Sequence, residues 1–260
     1  MNKKVIQFSH GNSYPAGCYK QFLAPLEKKF QVNAVEMFGH HPDYPVTDGW
    51  KFLVKELIDN IEAYSDKPVI GLGHSFGGVL TVMAASERPD LFEKIFILDS
   101  PIFGRLKSVL IKWIKRIGLI DRVTPGGKTL ARKRHWANQQ DALEYLKKKT
   151  VFKRFTQQCL EDYVRYGMEV TPDGLQLKYD VETEYKIYRT IPHDLRKIKH
   201  KLTVPMTLIY GESSDVVKNN DLKAMQKEFK SIVFHKMPGT HLFPFEYPEE
   251  TTGLILNEIG

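Results

Sequence analysis

Gly73-His74-Ser75-Phe76-Gly77-Gly78 sets a serine among glycines, directly after the apolar run at 68–73 (PVIGLG) and directly before a helical pattern. A serine on so tight a turn needs neighbours without Cβ, so that strand and helix can approach each other. Its hydroxyl then stands exposed at the carboxyl end of the strand, placed for nucleophilic attack. A neutral serine is a weak nucleophile until a base takes its proton, so a histidine must come from elsewhere in the chain. Of the nine histidines, His241 is the best placed. It lies in Met237-Pro238-Gly239-Thr240-His241-Leu242-Phe243, a loop leaving the last predicted strand, and such loops converge on one functional edge of a parallel sheet. His10, His40, His41 and His74 fall near the same edge and read as loop or supporting residues. The His40-His41 pair lacks the spaced carboxylate or thiol partners of a metal site.

An imidazole acting as base needs an anion to fix its tautomer and to stabilise its protonated form. Asp215, in the loop 211–217 (GESSDVV) after the fifth predicted strand, is the first choice. Asp99, at the end of the fourth, is the alternative acid, and Glu212 the third candidate. Asp99 also reads as a loop residue holding the start of the following segment. Attack on a carbonyl creates an oxyanion, stabilised by converging backbone N–H groups. The residue after the serine, Phe76, supplies one. Asn12 supplies the other, from the loop His10-Gly11-Asn12-Ser13 behind the first strand, where Gly11 lets the backbone turn.

The elements that must position these residues are legible in the hydrophobic pattern. Short runs at 4–9, 32–38, 68–73 and 94–99 read as buried strands, and 204–211 and 232–237 as two more. Between them lie helical patterns: Trp50, Leu53, Val54, Leu57, Ile58 and Ile61 behind a Thr47/Asp48 cap, then Gly78 to Glu87, about Asn219 to Phe229, and Pro248 to Ile259. Alternation of this kind predicts an α/β fold with a sheet of about six mainly parallel strands and helices on both faces. From residue 102 to 200 the alternation stops. That stretch reads as a helical insertion after the fourth strand, without a convincing strand and broken by Pro125-Gly126-Gly127 and Pro172-Asp173-Gly174. The division is a core of residues 1–101 and 201–260 and a cap of residues 102–200.

The net charge of +7 sits on that cap, which carries 22 Lys/Arg against 11 Asp/Glu. Within it, residues 106–117 (LKSVLIKWIKRI) line up Leu106, Val109, Leu110, Trp113, Ile114 and Ile117 on one helix face, with Lys107, Lys112, Lys115 and Arg116 mostly opposite. The expectation is a lid helix burying its stripe over the serine; docking on an anionic membrane or an acyl-carrier partner is the other reading. Phe76, Phe103, Trp113, Trp136 and Phe243 are the expected apolar lining. The clusters Arg132-Lys133-Arg134 and Lys147-Lys148-Lys149 lack aromatic interleaving, which argues against nucleic acid. No apolar run reaches the length of a membrane span, and Cys18 and Cys159 form no metal or redox spacing. The expected compartment is the cytoplasm.

In the segments SHGNSYPAG, GHSFGG, ILDSP, YGESSD and PGTHLFPFEYP, and in their order, the chain resembles the α/β-hydrolase superfamily over essentially its whole length, closest to cap-bearing bacterial serine esterases. The resemblance implies a nucleophile–acid–base order matched by Ser75, Asp215 and His241, a helical lid, and neither cofactor nor metal. Two departures stand out: the chain opens on the strand before the oxyanion loop, and the cap is unusually basic. Serine at position 75 argues against relatives that use an aspartate nucleophile, and the basic cap against those that bind a substrate ammonium. The expected activity is hydrolysis of a small-molecule carboxylic ester through an acyl-enzyme. Thioester or carbon–carbon cleavage on an acidic acyl substrate, and a non-catalytic small-molecule receptor on the same fold, are the alternatives.

Overall fold

The computed structural model describes residues 3–198, 201–229 and 231–260. Strands β1 (Val5–Ser9), β2 (Gln31–Ala34), β3 (Val69–His74) and β4 (Phe92–Leu98) alternate with helices α1 (Lys20–Glu27), α2 (Lys51–Tyr64) and α3 (Phe76–Glu87). The inserted segment then runs through α4 (Arg105–Arg116), α5 (Ile120–Val123), α6 (Gly126–Thr129), β5 (His135–Trp136), α7 (Gln139–Lys147), α8 (Gln157–Gly167), β6 (Met168–Thr171), β7 (Gly174–Leu177) and α9 (Val181–Arg189). β8 (Met206–Gly211), α10 (Asn219–Glu228), β9 (Ile232–Met237), α11 (Phe243–Glu246) and α12 (Pro248–Ile259) follow.

Six strands form one sheet in the order β2-β1-β3-β4-β8-β9, every neighbouring pair parallel. Each central strand is apolar on both faces because both are covered. Phe8, Ile70, Leu72, Phe96 and Leu98 pack with Phe22 and Leu26 of α1 and Ile255 of α12. Val69, Ile95, Ile97 and Leu208 pack with Leu53 and Leu57 of α2 and Val79 and Leu80 of α3. β2, expected as a buried run over 32–38, is a short, partly exposed edge strand.

Two local expectations are corrected. Thr47 and Asp48 make no side-chain cap; a 3-10 turn (Asp48–Trp50) precedes α2, with Gly49 at φ +75° and Trp50 at φ +60°. Trp50 is thereby turned toward the insertion, its indole N–H donating to the Ile187 carbonyl at 3.1 Å. The insertion is also not purely helical. β5, β7 and β6 form a small antiparallel sheet, and Pro172-Asp173 is the hairpin turn, since Thr171 pairs with Gly174 at φ +127°. Its strands are two to four residues long and partly exposed, so no buried apolar run marks them in the sequence. The boundary expected at 200 falls outside the described residues.

Candidate active site

β3 ends at His74 and α3 begins at Phe76, which leaves Ser75 alone in the turn, at φ +53° and ψ −115°. A non-glycine residue at such angles is strained and must be held by its surroundings. One restraint is the Ser75 N–H, which donates to the Leu98 carbonyl at the end of β4, 2.8 Å away. Another is close packing: a Cβ on Gly73 would stand 2.5 Å from the Gly77 carbonyl oxygen, and one on Gly77 only 2.1 Å from that of Ser9. The glycines are therefore demanded by the approach of α3 to β3 and β1.

Ser75 Oγ lies 2.9 Å from Nε2 of His241, and Nδ1 of His241 lies 2.7 Å from Oδ2 of Asp99. A carboxylate accepts only, so Nδ1 carries the proton and Nε2 is free to take one from the serine. Asp99 has no exposed surface. Its buried charge is offset by two further donors, the Gly211 N–H at 3.0 Å on Oδ1 and the Ser214 hydroxyl at 2.5 Å on Oδ2. The chain leaves β4 at Asp99 with φ +44°, its N–H held by the Ile209 carbonyl at 2.8 Å.

This corrects the expected acid: Asp215 is exposed, and the carboxylate beside His241 is Asp99. The loop after β8 contributes Ser214 instead, whose hydroxyl also accepts from the N–H groups of Val216 and Val217. That loop is folded around its own serine, which points at Asp99 while Asp215 stays in solvent. The His241 loop is fixed independently by Glu246, which accepts from the Thr240 N–H at 2.9 Å and the Thr240 hydroxyl at 2.5 Å.

Phe76 is the first residue of α3, so its N–H is among those a helix leaves without an internal partner. Asn12 is buried in the loop behind β1, followed by Ser13 at φ +76°. The Asn12 side chain donates to the Glu184 carbonyl of α9 at 3.1 Å, which ties this loop to the insertion. Arg132 adds a second tie through the Ser13 hydroxyl at 2.7 Å and the Glu184 carboxylate at 2.9 Å.

Two buried histidines brace the same loops. His74 Nε2 faces the His241 carbonyl at 2.9 Å and so must donate, which leaves Nδ1 to accept from the Tyr19 hydroxyl at 2.7 Å. The Tyr19 oxygen in turn accepts from the Gly11 N–H at 2.9 Å. A single chain of hydrogen bonds thus connects the loop behind β1 with the backbone of His241. His10 donates from Nδ1 to the Gly11 carbonyl and accepts at Nε2 from the Phe38 N–H. Burial pushes His74 down to about 3 and His10 down to about 4, so both are neutral. Tyr19, Ser214, Arg132 and Glu184 carry no local pattern that separates them from ordinary surface or core residues. Of the expected apolar lining, Phe76, Phe103, Trp136 and Phe243 are buried, but Trp113 is exposed. Among the described residues no three His, Cys, Asp or Glu side chains gather as a metal ion requires.

The sequence pattern of the alpha/beta hydrolase family matches residues 8–253. Monoglyceride lipase of Rattus norvegicus is 28% identical over 132 residues, covering 47% of this chain and 43% of the lipase. The Mus musculus monoglyceride lipase is 23% identical over 271 residues, covering 99% of this chain and 81% of the lipase. Among solved structures, that of E-2-(acetamidomethylene)succinate hydrolase superposes with a TM-score of 0.82 at 19% identity, covering 100% of this chain and 92% of the other, a likeness of fold.

Proposed function

The chain belongs to the alpha/beta hydrolase family, and from that premise we propose that it hydrolyses small-molecule carboxylic esters through an acyl-enzyme on Ser75. His241 is the general base, Asp99 its acidic partner, and the backbone N–H groups of Phe76 and Asn12 receive the oxyanion. The division into a core and a cap of residues 102–200 belongs to the same reading. The observation that carries it is the unbroken relay from the Ser75 hydroxyl through both nitrogens of His241 to the buried Asp99.

In this reading His241 Nε2 takes the Ser75 proton as Oγ attacks the ester carbonyl. The carbonyl π electrons move to its oxygen, where the two amides receive the negative charge. Collapse expels the alkoxide, which leaves with the proton from Nε2, and an acyl group remains on Ser75. Water then attacks the acyl carbon with its proton passing to Nε2, and the second collapse returns that proton to Ser75 and frees the acid. Asp99 stays ionised throughout and stabilises the imidazolium in each half-reaction.

The test is hydrolysis of p-nitrophenyl esters of increasing acyl length by the wild type and by Ser75→Ala, with mass spectrometry after a fluorophosphonate probe. Turnover and a single adduct on Ser75, both lost in Ser75→Ala, are expected. A folded wild type with neither turnover nor adduct overturns the reading.

A further inference from the structure

α4 turns its apolar stripe away from the molecule. Leu106 is 87% exposed, Val109 52%, Leu110 56%, Trp113 64% and Ile117 52%, while Ser108 and Ile111 face inward. Scattered exposed leucines are ordinary, but five large apolar side chains along one helix make a contiguous ridge of the kind that marks an interaction surface. The expected lid helix, stripe down over the serine, is thus reversed.

The inner side of α4 is pinned in this orientation. Lys107 donates to both carboxylate oxygens of Asp221 at 3.0 Å, and Lys115 pairs with Asp48 while donating to the Ile191 carbonyl at 2.9 Å. Ile111 packs with Phe103 and Ile120. Rolling the ridge inward would break all of these. Around the helix from Val109 stand Lys112 and Arg116, both exposed and forming no ion pair among the described residues. An apolar ridge beside uncompensated cations, on an insertion holding 22 Lys/Arg against 11 Asp/Glu, has the composition of a helix lying in a charged interface.

We propose that α4 docks the protein on an anionic lipid bilayer. Leu106, Leu110, Trp113 and Ile117 enter the headgroup–acyl boundary, and Lys112 and Arg116 meet lipid phosphates. Trp113 suits that depth because an indole is apolar in its rings and polar at its N–H. A second copy of the chain is a poorer occupant, since a two-fold contact along this ridge sets Lys112 and Arg116 of both copies against each other. α4 starts at Arg105, six positions after Asp99, so the docking helix is joined directly to the end of β4. The docking itself does not depend on the reaction, and its failure would leave the esterase reading untouched.

The chain has three tryptophans, of which Trp50 and Trp136 are buried, so a change in emission on binding reports Trp113. The full chain is mixed with phosphatidylcholine vesicles with and without phosphatidylglycerol and followed by co-sedimentation and tryptophan emission. Binding to the anionic vesicles with a blue shift is expected, and the shift but not the binding should vanish in Trp113→Phe. Lys112→Glu/Arg116→Glu should weaken binding at least about tenfold at low ionic strength, and Leu110→Ser/Trp113→Ser at least about tenfold at any salt. Circular dichroism confirms that these surface variants remain folded. Failure to bind anionic vesicles, or variants that bind like the wild type, overturns the proposal. So does a solution mass of two chains that falls to one in Leu110→Ser/Trp113→Ser, which would make the ridge a self-interface.

Discussion

Nδ1 of His241 stands 2.7 Å from Oδ2 of Asp99, a carboxylate with no exposed surface, whereas Asp215 lies in solvent. Asp99→Asn keeps the shape but offers an amide where an acceptor is needed. We expect kcat on a p-nitrophenyl ester to fall about 10³–10⁴-fold, the scale of the same change in serine proteases, with Asp215→Asn within about twofold of wild type. The reverse ranking would return the role to Asp215.

Tyr19→Phe removes one hydroxyl and strands two buried groups, the Gly11 N–H and Nδ1 of His74. The cost in stability should be about 1–3 kcal/mol, read from urea midpoints. Because the same hydroxyl links the loop behind β1 to the His241 backbone, kcat should fall with KM nearly unchanged. A loss of stability with full kcat would reduce Tyr19 to a core residue.

Gly77→Ala and Gly78→Ala separate backbone crowding from side-chain crowding. The new Cβ meets the Ser9 carbonyl oxygen at 2.1 Å in the first; in the second it meets mainly the Ser100 side chain, the hydroxyl at 1.8 Å, with the Gly73 carbonyl oxygen only grazed at 2.9 Å. A backbone carbonyl cannot rotate aside as a serine hydroxyl can. Gly77→Ala should therefore be the more destabilising, by about 3 kcal/mol, and should disturb β1 and α3 together. Equal denaturation midpoints for the two variants would contradict this.

Stability should fall on acidification. His10 and His74 titrate at about 4 and about 3 in the fold, against 6.5 when unfolded. Below 6.5 the unfolded chain therefore takes up protons that the fold refuses, and each group contributes a loss of about 1.4 kcal/mol per pH unit until its folded value is reached. Glu56, raised by burial to about 7 from 4.5, runs the other way and destabilises the fold as pH rises between those values. Two histidines against one glutamate leave a net acid loss between 4.5 and 6.5. Glu56→Gln should steepen that loss in urea titrations across the window; an unchanged slope would show that Glu56 is ionised in the fold.

Arg132→Met should leave the buried Glu184 carboxylate without its cation and the Ser13 hydroxyl without a donor. A loss of about 3 kcal/mol is expected, with a matching fall in kcat as the loop carrying Asn12 loosens. Adding Glu184→Gln should recover much of the stability, since no unpaired charge then remains. A double variant no more stable than the single one would exclude charge as the cause.

The α/β alternation, the four central strands of the sheet and the glycine-flanked Ser75 follow from local chemistry. A buried strand must be apolar wherever it ends up, and a turn at φ +53° beside two helix-contacting glycines leaves the same trace in any sequence. His241 could be picked out because it leaves the last strand on the shared edge. The carboxylate that lies beside His241, the short strands of the insertion and the direction of α4 were decided by the tertiary structure. Asp99 and Asp215 stand on neighbouring strand ends with equivalent chemistry in one dimension. The choice between them follows from the pairing of β4 with β8, the positive φ at Asp99 and the Ser214 hydroxyl that turns toward it. An amphipathic period shows that α4 has an apolar face, but the ion pairs of Lys107 with Asp221 and Lys115 with Asp48 turn that face to solvent. Those partners lie 114 and 67 residues away along the chain, and only folding sets contacts at such separations.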